Sequence, residues 1–286
     1  MDKKRDLKPY HGFVGLVAVM IMLMFAGPFL NSIFGKWYSI IGEILIPLIG
    51  FVIILIAGAD IKETVPFNLP PINKFFASIG LYIGTIMLSG AFNVVISKFI
   101  PNYAERNNAI TQTILTMSPI AAIISIALVP AICEELFFRG FFLATLKNVK
   151  NEALVIVIGG IAFGLAHLDL YAFISTALAG ALFTFIALRT GSLLISVLIH
   201  FINNAISVVV AYSTVNSSET TERVLSASQN QTIGQVMFYL GCALLFLFFS
   251  GGWFVGKKES GNKKLIVVII SLILMFVGNK IILLDS

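Results

Sequence analysis

Apolar stretches about as long as a bilayer is thick recur from one end of this chain to the other. A helix needs about 20 apolar residues to cross a hydrocarbon core roughly 30 Å thick. Stretches near that size occupy 12–34, 39–59, 75–99, 113–146, 153–167, 171–188, 192–212, 233–255 and 265–284. Lipid offers no partner to a backbone N–H or C=O, so each stretch is expected to close its hydrogen bonds as a helix. The expected fold is therefore all-α: a polytopic transmembrane helix bundle of about eight to nine spans with a central polar cavity. The stretch 113–146 is long for one span, and Pro119 and Pro130 predict a kink or a break in it. The stretch 153–167 is short, as suits a helix buried among others. Composition agrees: 12% of residues are charged, about half the fraction usual for a soluble domain.

Charge placement predicts orientation. The net charge of +5 does not point to nucleic acid, because the basic residues lie mainly between spans, where lipid headgroups explain them. About 13 Lys and Arg fall on segments that share a side with the N-terminus, and about 5 on the other side, which predicts a cytoplasmic N-terminus and nine spans. An eight-span reading would reverse the last segment and move Lys280 inside. The start, MDKKRDLKPYHG, precedes an apolar run too long for a signal-peptide core, and no A-x-A site follows. His11 in that tail reads as an interfacial residue. The polar stretch 213–232 reads as a solvated outer connector. Cys133 and Cys242 both lie in apolar stretches with no CxxC spacing, so neither a disulfide framework nor a thiolate metal site is indicated. No tandem repeat stands out.

Against this background a few polar residues lie where a bilayer would be. They are Glu134, Glu135 and Arg139 in CEELFFRG, His167 in FGLAH, and His200 with Asn204 in HFINN. An intramembrane charge costs about 2.5–3.5 kcal/mol on insertion scales, and such residues default to functional candidates. Glu135 and Arg139 are four apart with the acid first, the favoured order for a helical pair. Glu134 lies about 100° around the helix and must find a partner on another span or keep a proton. Phe163 with His167, and His200 with Asn204, share faces by the same spacing. Counting about 1.5 Å per residue from the nearest cytoplasmic charge puts Glu134, His167, His200 and Asn204 at depths of roughly 16–22 Å. Isolated polar pairs in bundles usually only hold helices together. Four at one depth point instead to chemistry: a Glu and a His to deprotonate water, and a His and an Asn to donate to an oxyanion. Glu134, His167 and His200 could alternatively ligate zinc, with an open position for water, although no H-E-x-x-H helix is present.

EELFFR (134–139), FGLAH (163–167) and HFINN (200–204) match E-E-x-x-x-R, F-x-x-x-H and H-x-x-x-N in order. The chain thereby resembles the CPBP family of intramembrane proteases, which includes Rce1-type CAAX prenyl endopeptidases and the Abi bacteriocin-processing or immunity proteins. The resemblance covers about 115–210 and divides the chain into N-terminal helices (1–112), a core (113–212) and an outer loop with C-terminal helices (213–286). It implies a conical cavity and peptide-bond hydrolysis at the membrane. Glu134 and His167 would activate water, His200 and Asn204 would form the oxyanion site, and Glu135 with Arg139 would hold the cavity in shape. Zinc or a glutamate-activated water alone are both compatible with it. A peptide, lipopeptide or membrane protein is the expected substrate, in a bacterial plasma membrane. Two rival readings are a bacteriocin-immunity or peptide-binding protein that does not hydrolyse, and a proton-coupled transporter. Against the transporter stands the lack of repeated halves.

Overall fold

The structure, a computed structural model, describes residues 5–100, 103–213, 228–256 and 260–284. Among them, beside a single helical turn at Ile61–Thr64, are ten helices of more than ten residues and no strand. They are α1 (Pro9–Phe34), α2 (Tyr38–Ala57), α3 (Ile72–Ile96), α4 (Tyr103–Leu115), α5 (Pro119–Thr145), α6 (Glu152–Ala166), α7 (Phe173–Thr190), α8 (Leu194–Ser213), α9 (Gln229–Val255) and α10 (Gly261–Leu284). All except α4 and α6 are long and apolar enough to cross a membrane, and α6 is apolar but only 15 residues long. The chain is a multi-pass membrane protein. The connector expected at 213–232 falls largely outside the described residues.

Local chemistry sets the helix ends. The long stretch 113–146 does not kink at Pro119; the chain breaks at 116–118 and a new helix starts there. Ser118 Oγ accepts from the Ala121 N–H at 3.4 Å, and Pro119 takes the first helical position, where its missing N–H is no loss. Asn151 caps α6 in the same way, accepting from the Leu154 N–H at 3.1 Å. Gly191, at φ 60°, closes α7 in the left-handed region. Pro130 directly follows a π-helical turn at Ile123–Leu128. The wider turn makes room for a proline ring that a regular helix would drive into the carbonyl one turn back.

The helix α5 is the centre of the bundle. Half of its most apolar window is buried, against 11–33% for the other spans. One side packs with α1, α2 and α6 around Phe137, Phe138, Phe141 and Phe163. Beyond it, α3, α7 and α8 meet around Leu81, Phe183, Ile186 and Ile199. The α9–α10 hairpin lies against α3.

Contacts sort the loops into two ends. At one, Arg5 N–H donates to Gly58 O, Lys147 pairs with Asp6 at 2.6 Å, Arg189 with Glu152 at 2.7 Å, and Asn68 Nδ2 donates to Gly191 O. Lys74, which donates to Phe254 O, joins the α9 terminus to the same end. At the other, Arg106 pairs with Asp169, and Tyr212 Oη donates to Met117 O at 2.6 Å.

Candidate active site

The structure places Glu134, Glu135 and Arg139 on α5, His167 at the C-terminal cap of α6, and His200 with Asn204 on α8. Arg139 is 3% exposed and Glu135 not at all. Their pairing is direct: Arg139 Nη1 donates to Glu135 Oε1 at 2.8 Å. Residues Leu136–Phe142 form a second π-helical segment, whose wider turn brings residue 139 back over residue 135. Nη2 donates across to the α7 carbonyl of Gly180 at 2.8 Å. The guanidinium also sits 4.6 Å from the Phe163 ring and 5.2 Å from Phe183, close enough for cation–π attraction.

His200 occupies the other side of Glu135. Its Nδ1 lies 3.1 Å from Glu135 Oε1, the atom that also accepts from Arg139. A carboxylate only accepts, so Nδ1 carries the proton and Nε2 faces away. Nε2 points toward Glu134 Oε2, 3.9 Å off, a gap too long for a hydrogen bond. The imidazole stacks on Phe183 at 5.0 Å and meets the edge of Phe163 at 5.6 Å. His167 is fixed similarly: its Nδ1 donates to Phe163 O at 2.8 Å, which leaves the Nε2 lone pair exposed. Phe163 therefore touches both histidines and Arg139, giving the F-x-x-x-H spacing a physical role.

The expected central polar cavity is two cavities that meet at His167. One, of about 360 Å³, lies between α1, α2, α5 and α6 and is lined by Ser39, Glu43, Glu134 and His167 among apolar side chains. The other, of about 430 Å³, lies between α3, α7 and α8 and is lined by His167, His200, Asn203 and Asn204. Among the described residues no Asp, Glu, Lys or Arg lines the second cavity. Its α3 wall is a stripe of Tyr82, Thr85, Ser89 and Asn93. Glu134 and the His200–Asn204 pair thus line different cavities, which meet at His167 and approach across the 3.9 Å between Glu134 Oε2 and His200 Nε2.

Glu43, on α2, is absent from the sequence-derived group. It lines the first cavity with Glu134. Glu43 Oε2 and Glu134 Oε2 are both buried without a hydrogen-bond partner among the described residues. The signal was present in IGEILIPL, a single acid within an apolar span. Asn203 was likewise passed over beside its neighbour Asn204. Among the described residues no group of three or more His, Cys, Asp or Glu could hold a metal ion. Of the set Glu134, His167 and His200, Glu134 lines the first cavity, His200 the second and His167 both, with Glu134 Oε2 and His200 Nε2 3.9 Å apart.

Residues 116–206, from the end of α4 into α8, match the family model described as type II CAAX prenyl endopeptidase Rce1-like. The match spans every motif residue from Glu134 to Asn204. No curated protein and no solved structure matches the chain.

Proposed function

We propose, for a chain whose residues 116–206 carry the Rce1-like match of the CPBP family, that it is an intramembrane endopeptidase using water activated by Glu134. The observation that carries this reading is the juxtaposition of Glu134 Oε2 and His200 Nε2 across 3.9 Å, deep in a membrane bundle, with His167 beside both cavities. A water in that region meets Glu134 and the His167 Nε2 lone pair as acceptors. Glu134 takes one proton as the water oxygen bonds to the peptide carbonyl carbon. The oxyanion that forms meets Asn204 Nδ2 and His200 Nε2. Donation from Nε2 while Nδ1 is held by Glu135 uses the imidazolium, whose charge then lies between two carboxylates. The C–N bond breaks as Glu134 returns its proton to the leaving nitrogen. No step requires a metal, and zinc is kept as a separate question for the experiment.

A cavity lined by hydroxyls, amides and imidazoles, with no Asp, Glu, Lys or Arg among the described residues, suits an uncharged peptide backbone, so the α3–α7–α8 side is the natural seat of the substrate. The division of the site between two cavities favours one alternative: a protein that binds a peptide, as an immunity protein would, without cutting it. One experiment separates the two. Purified full-length protein in nanodiscs is incubated with a mixed peptide and lipopeptide library, and products are read by mass spectrometry. The expected result is cleavage by the wild type that falls at least about 1,000-fold in Glu134→Ala, since the base and the returning acid are lost together. Cleavage that survives Glu134→Ala, or library binding without cleavage, overturns the endopeptidase reading. Loss with a chelator and recovery with zinc would add a metal to it.

A further inference from the structure

The α3 helix lies outside the family-matched segment, yet it reaches the oxyanion side of the site. Tyr82 is buried at 6% exposure, and its Oη donates to Asn203 Oδ1 at 3.2 Å. Asn203 Nδ2 in turn donates to Asn204 Oδ1 at 2.9 Å. All three side chains line the same cavity as His200. These are directional bonds, and direction matters here. A side-chain amide has one accepting end and one donating end. If Asn204 offers its oxygen to the oxyanion, it repels the charge; if it offers its nitrogen, it stabilises it.

We infer that Tyr82 and Asn203 are positioning residues that set which end of the Asn204 amide faces the substrate. The inference rests on the hydrolase reading above. A phenol has a single hydrogen to give. In the structure it gives that hydrogen to the Asn203 oxygen, which leaves the Asn203 NH₂ group for its neighbour Asn204. That NH₂ selects the Asn204 oxygen and turns the Asn204 NH₂ into the cavity. Each bond fixes the polarity of the next, so a hydroxyl on α3 decides the sign of the dipole at the reacting centre. The opposite arrangement, with Asn203 Nδ2 on Tyr82 Oη, would present the Asn204 oxygen instead. Oxyanion donors act by being oriented beforehand, and this chain supplies the orientation from a helix that carries none of the three motifs. Ser175 Oγ donates to Asn93 Oδ1 at 2.9 Å farther along the α3 stripe, so α3 is held to α7 as well as to α8.

The test uses the full chain in nanodiscs with a peptide that the wild type cleaves, and compares kcat and KM for Tyr82→Phe, Asn203→Asp, Asn204→Ala and Asn203→Asp/Asn204→Ala. Asp at 203 can only accept, so it draws the Asn204 nitrogen toward itself and aims the oxygen at the substrate. Asn204→Ala is expected to lower kcat about 100-fold, the usual effect of one lost oxyanion donor. Asn203→Asp should lower it to a similar extent, and Tyr82→Phe about 10-fold, with KM in each within about 2-fold of wild type. The double variant should be no slower than Asn204→Ala alone, because the 203 side chain acts through 204. Unchanged kcat in Tyr82→Phe and Asn203→Asp overturns the inference while leaving the hydrolase reading intact. So does a double variant slower by the product of the two single effects, or a loss that appears in KM and thermal stability together. A wild type that cleaves no peptide overturns both.

Discussion

Arg139 is the residue on which the site and the stability of the bundle most directly meet. Its guanidinium binds Glu135, reaches Gly180 O and lies against three phenylalanine rings, all without access to water. Removing one member of such a pair strands the other, which costs about 3–5 kcal/mol, whereas replacing both by apolar groups is often neutral. Arg139→Met should therefore lower the thermal midpoint in detergent strongly, and Glu135→Leu/Arg139→Met should recover much of the loss. Cleavage should not recover with it, because His200 Nδ1 would then have no acceptor. A double variant that regains both would reduce Glu135 to a packing residue. The pairing of residues 135 and 139 was legible in their spacing. The link from Glu135 to His200 was not, since it depends on how α8 is rotated against α5, and local spacing carries no such information. Glu43 was legible and missed: a lone acid in an apolar span is a signal even without a motif around it.

At the scale of the element, small residues decide how closely α6 and α7 approach. A Cβ on Gly180 would stand 2.6 Å from Phe163 Cβ, and one on Gly160 would stand 2.7 Å from Ala177 O. Either forces helix or side chain to move. Because Phe163 supports both histidines, Gly180→Ala should cost about 1–3 kcal/mol by overpacking and also lower cleavage. Gly251→Ala on α9, whose nearest neighbour would be 3.8 Å away, is the matched control; it should be neutral or stabilise by up to about 1 kcal/mol. Circular dichroism melts together with cleavage rates check both, and equal effects at the two positions would discount the close approach. The apolar helices were readable because a bilayer imposes length and apolarity; α4, a polar helix between two spans, was not, since no such constraint acts on it. The two π-helical segments of α5 were not: a register shift of one residue leaves hydropathy unchanged, and only packing against α2, α7 and α8 reveals it. Of the kink or break that Pro119 predicts, the break occurs, because Ser118 caps a new helix whose first residue is the proline.

For the whole molecule the question is which end faces which compartment. The end that holds Arg5, Lys62, Lys74, Lys147 and Arg189 also gathers the start of α1 and the connections α2–α3, α5–α6 and α7–α8. The opposite end carries Arg106, paired with Asp169. Cytoplasmic loops hold the excess of Lys and Arg, so the first end is proposed to be cytoplasmic, with the α6–α7 turn and its adjoining His167 approached from the other leaflet. Glu152–Arg189 and Asp6–Lys147 are exposed pairs, a class that contributes about 0–1 kcal/mol to stability, so their charges bear more on orientation. Both native cysteines are buried, which leaves a low background for labelling. Lys62 and Ser213 lie at opposite ends and are exposed. In intact cells a membrane-impermeant maleimide should label Ser213→Cys and spare Lys62→Cys, and permeabilisation should make both reactive. Labelling of Lys62→Cys alone would invert the bundle and place the opening beside His167 on the cytoplasmic side. The substrate would then have to be a cytosolic segment rather than one exposed on the far face.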